Sequence, residues 1–331
     1  MIDAKLGIGC VYRSYMDDLK GGENALAIVA FGDDDRGIRI ENGIPYVPIR
    51  SRADGFDDFL ETWRTAERRE VGQVGALTYA YDDEHLFCAG YIPHLRRYTE
   101  QTFAAYAESF KLADELGFPE LFRMWNYVGR INDVNGEGLE VYRDFCRGRA
   151  EAFESFGKKI PAATGVGSRG DGITFYFLSC RTGTPEHIEN PRQVPAYKYP
   201  RNYGPKSPTF ARATLLESKA SDSTRDSLFI SGTASILGHE SVHADDIHLQ
   251  CDVTLENISQ LISDSNLQGS GRSYGYELGD LGAIKVYVRR REDLELIRNK
   301  CMSVFSSDAD IRFLNMDICR KELLVEIEGI I

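Results

Sequence analysis

Two stretches of this chain pass through the same succession of strand and helix patterns, and that repetition restricts the fold more than any single motif does. Residues 86–94 (LFCAGYIPH) read as a strand, and residues 228–236 (LFISGTASI) line up with them so that Gly232 falls opposite Gly90. A helix follows in each half. The first opens at Thr99, places Phe103, Tyr106, Phe110 and Leu112 on one broad face, and stops at Gly117; the second covers 250–263 (QCDVTLENISQLIS). Strands at 123–131 and 285–290 come next, then helices at 138–156 and 292–303, then closing strands at 174–180 (TFYFLSC) and 322–331. A further strand at 74–80 forms a hairpin with 85–92 around Asp82-Asp83-Glu84. Agreement of five elements in order and spacing implies a duplicated α+β unit. Residues 181–189 (RTGTPEHIE) carry glycine and proline without periodicity and separate the halves, so the expected domains are 1–185 and 186–331.

At 331 residues the chain has room for two cores. Its seven cysteines are odd in number, form no CxxC pair and sit mostly in apolar runs, which suits buried thiols in a reducing cytoplasm. The opening MIDAKLGIGCVYR has none of the marks of a secretory leader, and no apolar run approaches the roughly eighteen residues that span a bilayer. A formal net charge of -12 argues against nucleic acid or an anionic membrane as partner. The expectation is a soluble cytoplasmic protein.

Against that acidic background, residues 191–216 carry Arg192, Lys198, Arg201, Lys206 and Arg212 and no acidic residue. Arginine forks beside tyrosine hydroxyls suit a small dianion, which needs bidentate, oriented contacts. Spacing alone reads equally well as a connector whose bases pair with surface acids. Two other motifs are weaker. His239-Glu240-Ser241-Val242-His243 matches the HExxH zinc pattern, but that chemistry needs both histidines on one helical face. Here the motif follows a β-like run and precedes Ala244-Asp245-Asp246, which starts no obvious helix, so a loop at the domain edge is expected, with His239 near the pocket. The glycine-rich GVGSRGDG at 165–172 has neither a P-loop lysine nor GxGxxG spacing and reads as a strand-to-strand turn.

The second half resembles the small enamine/imine deaminase (YjgF-like) fold in its Ser231-Gly232 strand, its helix with Gln250 and Thr254-Leu255-Glu256-Asn257-Ile258, and its closing Val325-Glu326-Ile327-Glu328. Longer strings resemble the chorismatases, a two-domain family built on that fold: ENPRQVPAYKYPRNYGPKSPTFARATL, LFISGTASILGHE and DICRKELLVEIEG, with WNYVGRINDVNGEGLEVYRDFCRGRAEAF and PAATGVGSRG in the first half. The likeness covers nearly the whole chain and is weakest over the first seventy residues. It implies two tandem YjgF-like domains, α+β, with mixed sheets and helices packed on one face. It also implies cleavage of pyruvate from chorismate, with no metal or organic cofactor.

On its strand Glu326 shares a side with Leu324 and Glu328, and alternation alone favours a carboxylate on an exposed edge strand. The resemblance makes Glu326 the general acid that protonates the enolpyruvyl methylene carbon, a task that requires a carboxyl still protonated near neutral pH. It also makes Gly232 and Cys319 the marks of the 3-hydroxybenzoate-forming branch, the diol-forming branch carrying alanine in the glycine position. In this reading Cys319 steers an arene-oxide-like intermediate and is not a nucleophile. Arg201, Tyr203 and Arg212 are expected to grip the substrate, with at most one of Arg147 and Arg149 reaching it, since their spacing points them to different helix faces. The deaminases' carboxylate-binding arginine has no clear counterpart, because its position is Ile311 with Arg312 beside it. The rival products are 4-hydroxybenzoate, alone or mixed, and the dihydroxycyclohexadiene carboxylate. A zinc hydrolase using His239 and His243, and a non-catalytic metabolite-binding module, are the alternatives of a different class. The duplication lets one chain supply what the small deaminases assemble between subunits, so the expected state is a monomer.

Overall fold

Runs that are apolar on both faces form strands buried inside sheets, and the amphipathic runs form helices laid against them. The structure, a computed structural model, describes residues 8–14, 24–56, 58–65, 68–217, 226–270 and 274–331; most of the leader region inspected above (1–7) lies outside them. The first sheet contains β1 (Ile8–Ser14), β2 (Ala25–Gly32), β3 (Arg39–Glu41), β4 (Ile44–Arg50) and β5 (Phe59–Thr65), in the order β1-β5-β2-β4-β3. The next unit runs β6 (Glu70–Val74), β7 (Leu77–Tyr81), β8 (His85–Ile92), α1 (Thr99–Glu115), β9 (Glu120–Gly129), α2 (Val141–Phe156), β10 (Ala162–Ser168) and β11 (Ile173–Cys180). The last runs β12 (Glu186–Ile188), β13 (Ala213–Leu216), β14 (Ser227–Ala234), the ribbon β15 (Ile236–Leu237) and β16 (Glu240–Ser241), α3 (Ile247–Ile262), α4 (Asp264–Leu267), β17 (Ala283–Val288), α5 (Leu294–Val304), β18 (Asp310–Asn315) and β19 (Val325–Ile330).

The duplication is visible in the topology. The second sheet is ordered β10-β9-β11-β8-β7-β6 and the third β18-β17-β19-β14-β13-β12 when read from the matching end. In both, the first pair is parallel and the pairs that follow are antiparallel. Helices α1 and α2 cover one face of the second sheet, with Phe110 and Phe153 packed among Cys88, Phe175 and Phe177. Helices α3 and α5 do the same for the third, with Ile258 and Ile297 against Ile230, Val286 and Ile327. The first sheet covers parts of the opposite faces of both: Phe31 and Trp63 join Phe87, Trp125 and Tyr176 of the second sheet and Phe229, Tyr287 and Leu314 of the third. Burying each of these aromatic side chains contributes about 2–3 kcal/mol.

Three local expectations are corrected. The strand read at 74–80 is two strands, because Gly75 (φ 55°) turns the chain between Val74 and Leu77, which pair with each other. Residues 186–188, inside the separator, form β12 on β13. Helix α3 begins at Ile247, because Asp246 caps it by accepting the Leu249 amide at 3.0 Å.

The two repeated units meet along β10, the edge of the second sheet. Its free amides find partners across the seam: Ala162 N donates to Thr214 Oγ1 (2.8 Å), Ala163 N to Ser231 Oγ (2.9 Å) and Gly167 N to the Asp317 carbonyl (2.7 Å). An edge that would otherwise be exposed is thus closed by the other half of the same chain.

Candidate active site

Glu326 sits on this seam. Strand β19 lies between β14 and β17, so Glu326 is on an interior strand and not an edge, and it is 4% exposed. Its neighbours in register are Ala234 and Tyr287. Burial, and then the adjacent Glu328 carboxylate, push its carboxyl up to about 8, against the opposing pull of Arg123, Arg212 and Arg289. It therefore holds its proton at neutral pH.

The strand beside it is broken in a way that makes room for this carboxyl. The β14–β19 register shifts between Ile230 and Thr233, which takes Ser231 and Gly232 out of the ladder. Ser231 N turns to the Arg212 carbonyl (2.9 Å) and Gly232 N to Thr164 Oγ1 of β10 (3.0 Å). A Cβ added at Gly232 would stand 2.0 Å from Glu326 Oε1 and 2.9 Å from its Cδ. Any larger residue must displace the carboxyl.

Cys319 follows Ile318 in the loop before β19, and Arg289 fastens that loop. Its Nε donates to the Leu323 carbonyl (2.6 Å) and its Nη2 to those of Ile318 and Arg320 (2.9 Å each). Burial and the nearby Glu326 push the Cys319 thiol well up, so it is not a thiolate nucleophile at neutral pH. Cys319 lines a cavity of about 270 Å³ together with Glu140, Tyr142, Arg143, Tyr199, Tyr203 and the arm Arg320-Lys321-Glu322. Glu326 is not itself a lining residue, but its charge raises both Cys319 and Tyr142, which are.

Arg320 is the best anchored cation of the cavity. Its Nη1 donates to the His239 carbonyl and to Ser241 Oγ (3.0 Å each), and its guanidinium lies over the rings of Tyr203 (4.2 Å) and Tyr199 (5.3 Å). Tyr203 OH in turn meets His239 Nδ1 at 3.1 Å. The HExxH segment therefore supplies one strand of a two-stranded ribbon that props the cavity from outside: residues 239–243 span β16, which pairs with β15, and His243 has φ 58°. Among the described residues no three metal-binding side chains cluster. Residues 165–168 of the glycine-rich segment lie within β10, and only the remainder turns toward β11.

The other residues singled out from sequence are dispersed. Tyr203 lines the cavity. Arg212 is buried behind it, donating to Tyr199 OH (2.7 Å) and the Val194 carbonyl (3.1 Å). Arg201 is exposed and is not among the lining residues. Arg147 points outward to Glu151 (3.0 Å). Arg149 is buried, bonded to the Thr209 carbonyl and stacked 4.9 Å over Phe153. Arg312 pairs with Asp310 on β18 (2.9 Å). Sequence reasoning passed over Arg320, Tyr142 and Arg143, although each lies in a string already noted: Arg320 is the residue after Cys319.

A larger cavity, of about 420 Å³, is lined by Asp34, Asp35 and Asp171 with Arg50 as its single arginine. That balance opposes a dianion. The smaller cavity, with Arg143, Arg320 and Lys321 against Glu140 and Glu322, suits one better.

Residues 61–179 match the family described as chorismatase FkbO/Hyg5-like, N-terminal. Over 313 residues the chain is 51% identical to a 3-hydroxybenzoate synthase of Streptomyces hygroscopicus, covering 94% of this chain and 92% of that protein. It is 42% identical over 317 residues to a chorismatase of Streptomyces rapamycinicus, covering 95% and 94%. A crystal structure of a chorismatase superposes with a TM-score of 0.92 at 40% identity, covering 98% of both chains.

Proposed function

The chain belongs to the chorismatase family, and we propose that Glu326 is the acid with which it converts chorismate to 3-hydroxybenzoate and pyruvate. What supports this reading most is a carboxyl buried at the seam, pushed up to about 8 by burial and by Glu328, packed against Gly232, and near enough to raise the thiol of Cys319, which lines the cavity. Chorismate is a dianion that carries an enol ether. Glu326 gives its proton to the terminal methylene carbon of that ether, which leaves an oxocarbenium ion and an anionic Glu326. The ring 4-hydroxyl then attacks the adjacent ring carbon, loses its own proton and expels pyruvate. The resulting arene oxide opens and aromatises with the oxygen at the 3-position. The proton lost by the hydroxyl balances the one given to carbon.

Arg320, Arg143 and Lys321 are the cations placed to hold the two carboxylates, and Tyr199 and Tyr203 offer hydroxyls and ring faces. The buried Arg212 fixes Tyr199 from behind. The neutral Cys319 thiol forms an apolar wall that keeps water from the cation, and this favours intramolecular attack over hydrolysis. The duplicated units complete this seam within one chain, so the monomer is taken as the working unit, divided near residues 181–189. Seven free cysteines, six of them buried, suit a reducing compartment such as the cytoplasm.

The test is incubation of purified, chelator-treated protein with chorismate, following pyruvate and separating the ring products. One equivalent of pyruvate with 3-hydroxybenzoate is expected. Release of 4-hydroxybenzoate or the diol would overturn the roles given to Gly232 and Cys319, and binding of chorismate without release of pyruvate would overturn the reaction itself.

A further inference from the structure

Strand β19 carries a second carboxylate two residues from the acid and on the same face, and its surroundings are the reverse of those of Glu326. Glu328 is 2% exposed. Its Oε2 accepts from Arg123 Nη2 (2.7 Å) and from Thr164 Oγ1; its Oε1 accepts from Trp125 Nε1 (2.9 Å) and Lys285 Nζ (2.8 Å). Lys285 Nζ also donates to Glu61 Oε2 (2.5 Å), and Glu61 accepts further bonds from Trp63 Nε1 (2.8 Å) and Tyr176 OH (2.7 Å). All three sheets contribute: Glu61 from the first, Arg123, Trp125, Thr164 and Tyr176 from the second, and Lys285 and Glu328 from the third. Two cations face two carboxylates, so the cluster is balanced without Glu326. Among the described residues no hydrogen bond is made to Glu326. Thr164 stands between the carboxyls, with its hydroxyl on Glu328 and its methyl against Gly232.

We propose that Glu328 is a positioning residue for the acid, an anion locked by Arg123, Lys285 and Thr164 that keeps the proton on Glu326 until substrate takes it. The proposal rests on the reading of Glu326 given above. Two carboxyls sharing a dry face cannot both ionise cheaply, and the one supplied with cations takes the charge. Burial pushes Glu328 up, but Lys285 and Arg123 outweigh it and hold this carboxyl below the ordinary value. The groups facing Glu326 from the surrounding elements agree with this division. Arg123, Arg212 and Arg289 pull against its proton. Tyr142, Cys319 and Tyr287 are pushed up by burial and remain uncharged. After burial itself, the charge of Glu328 raises Glu326 most. Lys285, opposite Glu328 in register on β17, faces Glu328.

The test is the pH dependence of kcat/KM for Glu328→Gln, with infrared titration of the protonated carboxyl band that Glu326→Gln abolishes. Removal of the anion, with Arg123 and Lys285 left in place, should move the alkaline limb and the band's titration down by at least about one pH step. Activity near pH 8 would then fall about fivefold further than activity near pH 6. A profile lowered uniformly, with limb and band unmoved, would overturn the proposal and leave Glu328 a structural residue. Should Glu328→Gln not fold, Glu328→Gln with Lys285→Met leaves the net charge of the cluster unchanged; limb and band should then move down by less, since a cation leaves with the anion, and no downward movement would overturn the proposal. If Glu326→Gln retains turnover, the reading of the acid fails; an unmoved limb beside an inactive Glu326→Gln defeats the positioning role alone.

Discussion

Glu326→Gln should make the protein more stable at neutral pH while removing its chemistry. An ordinary glutamate ionises near 4.5, whereas Glu326 in the folded chain ionises near 8. The sign follows from linkage. Unfolded chains release this proton first, so its contribution is most favourable to folding below about pH 4.5 and declines as pH rises toward 8. Each pH step in that window costs about 1.4 kcal/mol. At pH 7 the cost is about 3 kcal/mol, and at 4% exposure there is little solvent to screen it. A chain of this size converts that into roughly 4 °C of thermal midpoint. Glutamine keeps the shape and cannot ionise, so its own cost does not change with pH. The assay is thermal unfolding of both proteins from about pH 5 to about pH 8. The variant should gain on the wild type steadily across the range, with little advantage at the acid end. Parallel midpoint curves would show that Glu326 does not hold its proton in the fold, and the argument for its role as acid would fail.

Gly232→Ala combined with Cys319→Ala should redirect product toward the dihydroxycyclohexadiene carboxylate, because the new methyl displaces the Glu326 carboxyl and the lost thiol opens the wall to water; an unchanged product ratio by chromatography would refute this. Arg320→Met should raise KM for chorismate about tenfold or more through the loss of charged hydrogen bonds, while Arg201→Met, exposed and outside the cavity, should leave steady-state constants within about twofold. Equal effects of the two would place the substrate elsewhere.

How much of this was legible in the sequence depended on distance along the chain. The duplicated order of strands and helices was, because each element imprints its own period over a dozen residues. Glu326, Gly232 and Cys319 were, because they lie in long strings that resemble one family. The first sheet was not: β2 and β4 are buried on both faces and show no alternation, and the resemblance is weakest there. Arg320 was missed because the loop that presents it is fixed by Arg289, and its stacking partners lie in the turns around Tyr199 and Tyr203. Arg149 attracted notice as a cation, yet its helix face is packed into the core, where it braces Thr209. The Arg123–Glu328 pair joins residues 205 apart, and no local pattern marks such a contact.

The central claim is that a protonated Glu326 drives the reaction, and the most direct test is kcat/KM for chorismate across pH in the wild type and in Glu326→Gln. The wild type should lose activity about tenfold per pH step above about 8, and the variant should be slower by about 10²–10⁴-fold with chorismate still bound. A wild-type profile level to about pH 9, or a variant within about tenfold of the wild type, would contradict it.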